Sequence, residues 1–286
     1  MHVVADTLDD LLRKVYRRLV RKNNVVSPSK GQTVEEFGNL LTLKNPLARL
    51  SRTETKGTVF SCLGEFIWYM SGSNSLEVIE HYIRDYGKYS DDGLTIFGAY
   101  GPRIFNKGGI DQLAYVLEKL KSSPASRKAV IQLFDAGDVV EHHEDVPCTC
   151  TLQFVARSNK IQLHVNMRSN DAFKGLPHDV FSFTMLQEVV ARTLDLGLGH
   201  YHHSVGSLHL YTDDLPSSSC RRAYRTMSRC RQCRKAIRRR VCPLSRTLRR
   251  SFAPARRCRS CPREFRHTGT TSSGCWRYTR RLHRER

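Results

Sequence analysis

The stretch Met167-Arg-Ser-Asn-Asp-Ala-Phe-Lys-Gly-Leu-Pro-His-Asp179 decides how this chain is read. Before it, Lys160 to Met167 alternates apolar and polar residues and reads as a strand. After it, Val180 to Leu194 carries apolar residues at helical spacing and reads as a long helix. The stretch is therefore a strand-to-helix connection. It sets the guanidinium fork of Arg168 beside the hydroxyl of Ser169, two donors in consecutive positions.

Working outward, Cys150 to Ala156 is a preceding strand, entered through Val146-Pro-Cys-Thr-Cys-Thr-Leu-Gln-Phe154. A last strand, Ser207 to Tyr211, lies in Gly206-Ser-Leu-His-Leu-Tyr211. Nearer the N-terminus, Thr7 with Asp9 and Asp10 opens an amphipathic helix on Leu8, Leu11, Leu12, Val15, Leu19 and Val20 that ends near Asn23. Val34 to Leu43 is strand-like. Phe60 to Met70 is a dense apolar run that predicts a buried helix, and its single charge, Glu65, calls for a chemical reason. A helix from about Gly109 to Leu120 leads through Ser123-Pro124 to a strand at Ala129 to Phe134. Mixed strands and long helices without a repeat mean α+β or α/β.

The chain has 286 residues and a net charge of +20, but the charge is segregated. Residues 216 to 286 hold 22 Arg and one Lys against two Glu, which leaves 24 basic and 25 acidic residues in positions 1 to 215. The body is a near-neutral globular protein, and nucleic acid is not its expected partner. Residues 216 to 286 show no sustained apolar period, so a disordered or frame-shifted tail is expected there. The competing reading is a basic zinc or nucleic-acid module built on Cys230-x-x-Cys233 and Cys258-x-x-Cys261. Aromatics for base stacking are sparse in that segment. The three body cysteines, Cys62, Cys148 and Cys150, make no disulfide framework. No run of 18 apolar residues and no basic-then-apolar leader occurs, so a cytoplasmic protein with no membrane partner is expected.

Pro147-Cys148 followed by Gln153-Phe154, then Arg168-Ser169-x-Asp171-x-x-x-Gly175-Leu176-Pro177, then His209-x-Tyr211, together resemble the thymidylate synthase family. The likeness extends to Gly64-Glu-Phe-Ile-Trp68, Tyr100-Gly101 and Ser126-Arg-Lys128, and covers about residues 30 to 212. It implies an α+β fold with a twisted mixed sheet and long helices in a catalytic domain over 1–215, the back of the sheet forming a homodimer. It also implies transfer of a one-carbon unit from 5,10-methylenetetrahydrofolate to C5 of a pyrimidine nucleoside monophosphate.

Residue by residue, the resemblance makes Cys148 the nucleophile that adds to C6 of the base. Read on its own, Cys148 is either an inert core thiol or a thiolate favoured by Arg168, should the fold bring the two together. Cys150, two residues along the strand, is expected on the same face as packing. Glu65 matches the glutamate that manages protons through water at the base's 4-substituent, and Tyr100 the tyrosine that helps remove the C5 proton. Arg168 and Ser169 match phosphate ligands, with Arg127 and Lys128 reaching the same phosphate from the neighbouring subunit. His209 and Tyr211 match ligands of the sugar 3′-hydroxyl, and Asp171 and Trp68 match folate-binding positions. No metal site is expected, since His142-His143-Glu144 reads as a solvated loop.

Departures from the family pattern narrow the substrate. Asp179 stands where thymidylate synthases carry an Asn that reads uracil, and an acid accepts from the N4 amino group of cytosine but repels uracil O4. When protonated it also donates to cytosine N3. This exchange marks the cytidylate and deoxycytidylate hydroxymethylases, in which water and not hydride completes the reaction. Thymidylate synthase itself is the alternative. Thr149 replaces the family's histidine after the cysteine. Pro28-Ser-Lys-Gly-Gln-Thr33 replaces its arginine-rich phosphate loop, which leaves Lys30 as the only cation there. Beyond Asp214 no counterpart of the segment that closes over the folate is recognisable.

Overall fold

A computed structural model describes residues 1–22, 24–28, 31–51 and 58–214. Lys30 and the tail from residue 216 lie outside the described residues, as do the zinc and nucleic-acid readings of that tail.

The strands are β1 (His2–Ala5), β2 (Val25–Val26), β3 (Thr33–Leu43), β4 (Val130–Gln132), β5 (Thr149–Arg157), β6 (Lys160–Asp171) and β7 (Gly197–Tyr211). They form one sheet in the order β1-β3-β7-β6-β5-β4, with β2 paired on β3. β1 runs parallel to β3 and β6 parallel to β7, while the other pairs are antiparallel. The sheet is thus mixed, and with its helices the fold is α+β.

One face of each long strand is buried with a period of two. On β6, Ile161, Leu163, Val165 and Met167 are buried, whereas His164, Asn166 and Arg168 are exposed. Helix α1 (Leu8–Lys22) closes part of the buried face with Leu8, Leu11, Leu12, Val15 and Leu19, the stripe that its sequence predicts. Its start is fixed by Thr7 Oγ1, which accepts from the Asp10 N–H at 3.2 Å. Helices α2 (Thr58–Met70), α3 (Leu76–Glu80), α4 (Tyr100–Phe105) and α5 (Gln112–Ser122) follow. Asp111 caps α5 by accepting from the Ala114 N–H. The long α6 (Gly175–Thr193) packs against β6, β7 and α2.

Among the elements that differ from their sequence reading, three bear on the site. β7 has 15 residues and begins at Gly197, ten positions before Ser207. Its Gly and His residues carry little strand propensity, and pairing with β3 on one side and β6 on the other overrides this. α6 begins at Gly175 instead of Val180, which places Leu176-Pro177-His178 in its first turn and Asp179 just beyond it. Pro177 is accepted there because the first N–H groups of a helix lack intrahelical partners. α2 is buried on one face only. Glu65, Phe66, Trp68 and Tyr69 turn inward, while Phe60 is 78% exposed and Leu63 and Ile67 are also open.

A charge cluster ties α1 to the strand beside the site. Glu36 on β3 is 4% exposed and receives Arg18 and Lys22 at 3.0 and 2.9 Å. Burial works to raise its carboxyl, but the bonds from Arg18 and Lys22 outweigh this and hold it below the usual range. A depressed carboxyl contributes stability above its unfolded value of 4.5 and loses it as pH falls. Glu36→Gln is therefore expected to cost on the order of 2 kcal/mol at neutral pH. Urea denaturation of the full chain should show the gap from wild type closing in acid.

Candidate active site

The C-terminal ends of β6 and β7, the first turn of α6, the inner face of α2 and the loop 142–147 enclose a cleft of about 1470 Å³. Its floor follows from two pairings. Parallel register sets Asp171 opposite His209 and Ser169 opposite Ser207. Antiparallel pairing brings the Arg168 N–H to the Cys148 carbonyl at 2.9 Å.

Cys148, Arg168, Ser169, Asp171, Asp179, Glu65, Trp68, Tyr100, His209 and Tyr211 all line this cleft. Residues spread over 146 positions of the sequence thus share one cavity. Arg168 donates through Nε to the Pro147 carbonyl at 3.0 Å and through Nη2 to the Val146 carbonyl at 2.8 Å. The guanidinium thereby holds the turn that carries Cys148. Cys150 does not line the cleft: a bulge between Thr149 and Thr151 breaks the two-residue alternation on which a shared face depends.

Tyr100, at the start of α4, is 9% exposed and packs on Tyr69 at 5.0 Å. Its Oη accepts from the Thr149 N–H at 3.2 Å and from Thr149 Oγ1 at 2.9 Å. Both lone pairs are taken, so the phenol keeps its proton to donate. Burial, then the nearby Asp179 and Cys148, push this phenol well above its ordinary value. Thr149, which replaces a family histidine, is thus the residue that orients Tyr100.

Glu65 faces α6. His178 Nδ1 lies 2.9 Å from Glu65 Oε2, and His178 Nε2 lies 3.3 Å from Ser61 Oγ. Burial disfavours charge on His178, but contacts with Cys62 and Glu65 outweigh it and raise the imidazole to about 10. Asp179 keeps part of its surface open to the cleft. Burial, then the Glu65 charge, push its carboxyl up to about 8, against the opposing pull of His178 and a hydrogen bond from Asn170. His178 lines the cleft and bonds Glu65, a position that the sequence reading passed over although it stands inside the decisive stretch. The signal was its place between Pro177 and Asp179, on the helix face turned to Glu65.

Other residues have structural partners as well. Asp171 accepts the Phe173 N–H at 2.8 Å, and burial raises its carboxyl. His209 and Tyr211 meet edge to face at 5.4 Å. Trp68 is only 1% exposed, stands edge-on to Tyr86 at 5.8 Å, and its indole N–H has no acceptor among the described residues. Arg127 and Lys128 are exposed on the turn before β4 and do not line the chain's own cleft. His143 bonds Asp91 at 2.7 Å and stacks on Phe97, so it is tied down and not freely solvated. Among the described residues no group of His, Cys, Asp or Glu is placed to hold a metal ion, and no helix is long and apolar enough to cross a membrane.

Cys148 just ahead of β5, an arginine holding its turn and Asp179 near the start of α6 share one large cleft that suits a polar ligand. The thymidylate synthase family model matches residues 8–241, and the chain belongs to that family. The match continues past residue 215 into the Arg- and Cys-rich segment. Over 219 residues the chain is 27% identical to the deoxyuridylate hydroxymethyltransferase of Bacillus phage SP01, covering 71% of this chain and 57% of that protein. Over 178 residues it is 29% identical to the thymidylate synthase of Francisella philomiragia subsp. philomiragia, covering 57% of this chain and 65% of that protein. The chain thus spans less than two thirds of the length of these curated relatives.

The Glu65–His178 pair makes a sharp expectation. His178→Gln leaves Glu65 and Asp179 without the cation between them and is expected to lower kcat about a hundredfold. Because the folded imidazole titrates above its ordinary 6.5, the pair's stabilisation is whole below 6.5 and fades as pH rises towards about 10. Thermal melts of wild type and His178→Gln should therefore converge over that interval.

Proposed function

We propose that this chain transfers a one-carbon unit to C5 of a cytosine nucleoside monophosphate, dCMP or CMP, and releases the 5-hydroxymethyl nucleotide. The observation that carries this reading is Asp179, an acid in the same cleft as Cys148 and Glu65 at the position where an amide reads uracil. The cleft fits two ligands at once: its roughly 1470 Å³ exceeds the roughly 300–1,000 Å³ that encloses one small molecule. Trp68, Tyr82, Tyr86, Tyr89 and Phe173 give it an aromatic side suited to a flat pterin.

In this reading Arg168 and Ser169 hold the phosphate and His209 with Tyr211 holds the sugar. Arg127 and Lys128 of a second copy complete the phosphate site, which makes the working form a cytoplasmic homodimer. The Cys148 thiolate bonds to C6, and the electron pair displaced from the C5–C6 double bond makes C5 nucleophilic. Methylenetetrahydrofolate, when bound, supplies a carbon at the oxidation level of formaldehyde, so water completes the product without a reductant. Glu65, backed by His178, passes protons at the 4-substituent. Tyr100, oriented by Thr149, helps to move the C5 proton: its oxygen takes that proton as the bond from Thr149 Oγ1 opens, and its own proton passes on to water. Loss of that proton would let the one-carbon unit part from its amine carrier, water would add to the carbon so freed, and departure of Cys148 would restore the C5–C6 double bond.

The runner-up is transfer to dUMP, with methyl or hydroxymethyl as product. It is favoured by the names of the two relatives and by an Asp179 that stays neutral below about 8. Tritium release from 5-tritiated dCMP, CMP and dUMP separates the readings, and release from dUMP alone would sink the cytosine assignment. Dihydrofolate formation would mark reductive methylation. Cys148→Ala is expected to lower turnover more than about a thousandfold while nucleotide binding persists. Asp179→Asn should shift preference towards uracil by about tenfold or more. As pH rises through about 8, Asp179 becomes a carboxylate that repels uracil O4, so the cytosine-to-uracil preference of the wild type should increase.

A further inference from the structure

The register of the sheet sorts its side chains onto two faces. Val3, Leu41, His203, Val165, Leu152 and Ile131 stand opposite one another across six strands and are at most 7% exposed, on the face turned to the core. The rungs on either side of this one point the other way. One is Val4, Thr42, His202, His164, Gln153 and Val130, and the other is His2, Leu40, Ser204, Asn166, Thr151 and Gln132. Neither rung holds an Asp, Glu, Lys or Arg, although these make up 26% of the chain, and the titratable groups of both are all histidines.

Loss of charge of this kind marks the centre of an interface, and a parallel pair such as β6 with β7 is a pairing normally buried on both sides. The four long strands β3, β7, β6 and β5 cover roughly 600 Å² in projection, at about 4.8 Å between strands and about 3.3 Å per residue. With β1 and β4 beside them, the face approaches the roughly 800 Å² that each partner gives to a standard interface. Gln153, in the first rung, donates to the Arg127 carbonyl at 3.0 Å. The turn that carries Arg127 and Lys128 is thus fastened at the edge of this face, and neither residue lines the chain's own cleft.

His164 and His202 lie side by side in the first rung with ring centroids 6.5 Å apart, and His200 stands 6.1 Å from His202. Each ring of the pair has a hydroxyl partner: His164 Nε2 is 2.7 Å from Ser204 Oγ, and His202 Nδ1 is 3.2 Å from Thr42 Oγ1. The charges that act on His202 are those of His164 on β6, His200 on its own strand and His2 on β1, with the neutral Thr42 across on β3. Beside His164 stand Ser204 and His202 on β7 and Gln153 on β5. No carboxylate is among these neighbours. Burial first, and for His202 the surrounding imidazoles, hold both rings below the ordinary 6.5, so both are uncharged at neutral pH.

We propose that two copies of the chain meet through this face, and that His164 and His202 make the joint reversible by acid. The inference rests on the homodimer that the proposed function calls for. A joint between two copies is self-complementary, so the charge that one copy brings meets the same charge on the other. Covering neutral imidazoles that keep their hydroxyl partners costs little. Covering imidazolium ions sets like charges in one interface with no acid to answer them. The dimer therefore binds fewer protons than two free copies, and falling pH drives it apart. Dissociation withdraws Arg127 and Lys128 from the partner's phosphate site.

Sedimentation velocity of the full chain at about pH 7.5 and about pH 5, with circular dichroism to confirm the fold at each, reads the joint without substrate or folate. The dissociation constant should rise about tenfold or more on acidification. The double variant His164→Gln/His202→Gln should dimerise at neutral pH and lose most of that rise. Each single variant should lose part of it, which decides the matter if the double variant does not fold. Asn166→Arg, which puts a charge into the second rung, should give a monomer at neutral pH. A dimer indifferent to acid, a rise unchanged in the histidine variants, or a dimer indifferent to Asn166→Arg would overturn the inference. A wild type that is monomeric at neutral pH would overturn it together with the shared phosphate site. Which nucleotide releases tritium is read separately, so failure of the cytosine assignment is told apart from failure of the joint.

Discussion

The parallel pairing of β6 with β7 is the constraint on which the site depends. It places Ser169 opposite Ser207 and Asp171 opposite His209, so that the ends of two strands 38 residues apart in register form one rim. The approach is close: a Cβ at Gly206 would stand 2.7 Å from the Arg168 carbonyl, which only glycine avoids without a shift. Because side chains alternate every residue, a slip of one position would turn His209 and Tyr211 to the other side of the sheet. β5 joins this frame through the bond from the Arg168 N–H to the Cys148 carbonyl, and the guanidinium of the same arginine grips the turn ahead of the cysteine. One residue thus secures Cys148 through both its backbone and its side chain.

Charge is spent differently in the scaffold and in the site. In the scaffold, Glu36 meets Arg18 and Lys22, and Asp138 meets Arg103, so each buried carboxyl is matched by a guanidinium or an ammonium. In the cleft, Glu65 and Asp179 crowd the same helix terminus, and His178 is the cation that contacts Glu65 directly. Burial above all, and then the Glu65 charge, push the Asp179 carboxyl towards its neutral form, in which it both donates and accepts. A fully ionised pair would only accept. The cleft thus keeps an acid without a matching cation, where the scaffold pairs its own.

Local pattern made much of the scaffold legible. The stripe Leu8, Leu11, Leu12, Val15 and Leu19 with acids at its start determined α1 to within a residue, because a helix face is set by neighbours three and four positions apart. Val34 to Leu43 was legible as β3 for the same local reason, at a period of two. The ordered motifs around Cys148, Arg168 and His209 named the family and, with it, the residues that line one cleft.

What the sequence left open depends on contacts between distant positions. The true length of β7 is decided by pairing to strands on both sides, and the loss of Cys150 from the cleft by a bulge against β6. The burial of Trp68 follows from packing against Tyr86, and the role of His178 from Glu65, 113 residues earlier in the chain. The bond from Asn170 to His203 spans 33 residues and two strands. By itself, then, the sequence determined the family and several of the local elements, since propensity and motif spacing act over a few residues. Only the tertiary structure decided which groups neutralise, orient or crowd one another, because those energies depend on distance and burial across the sheet.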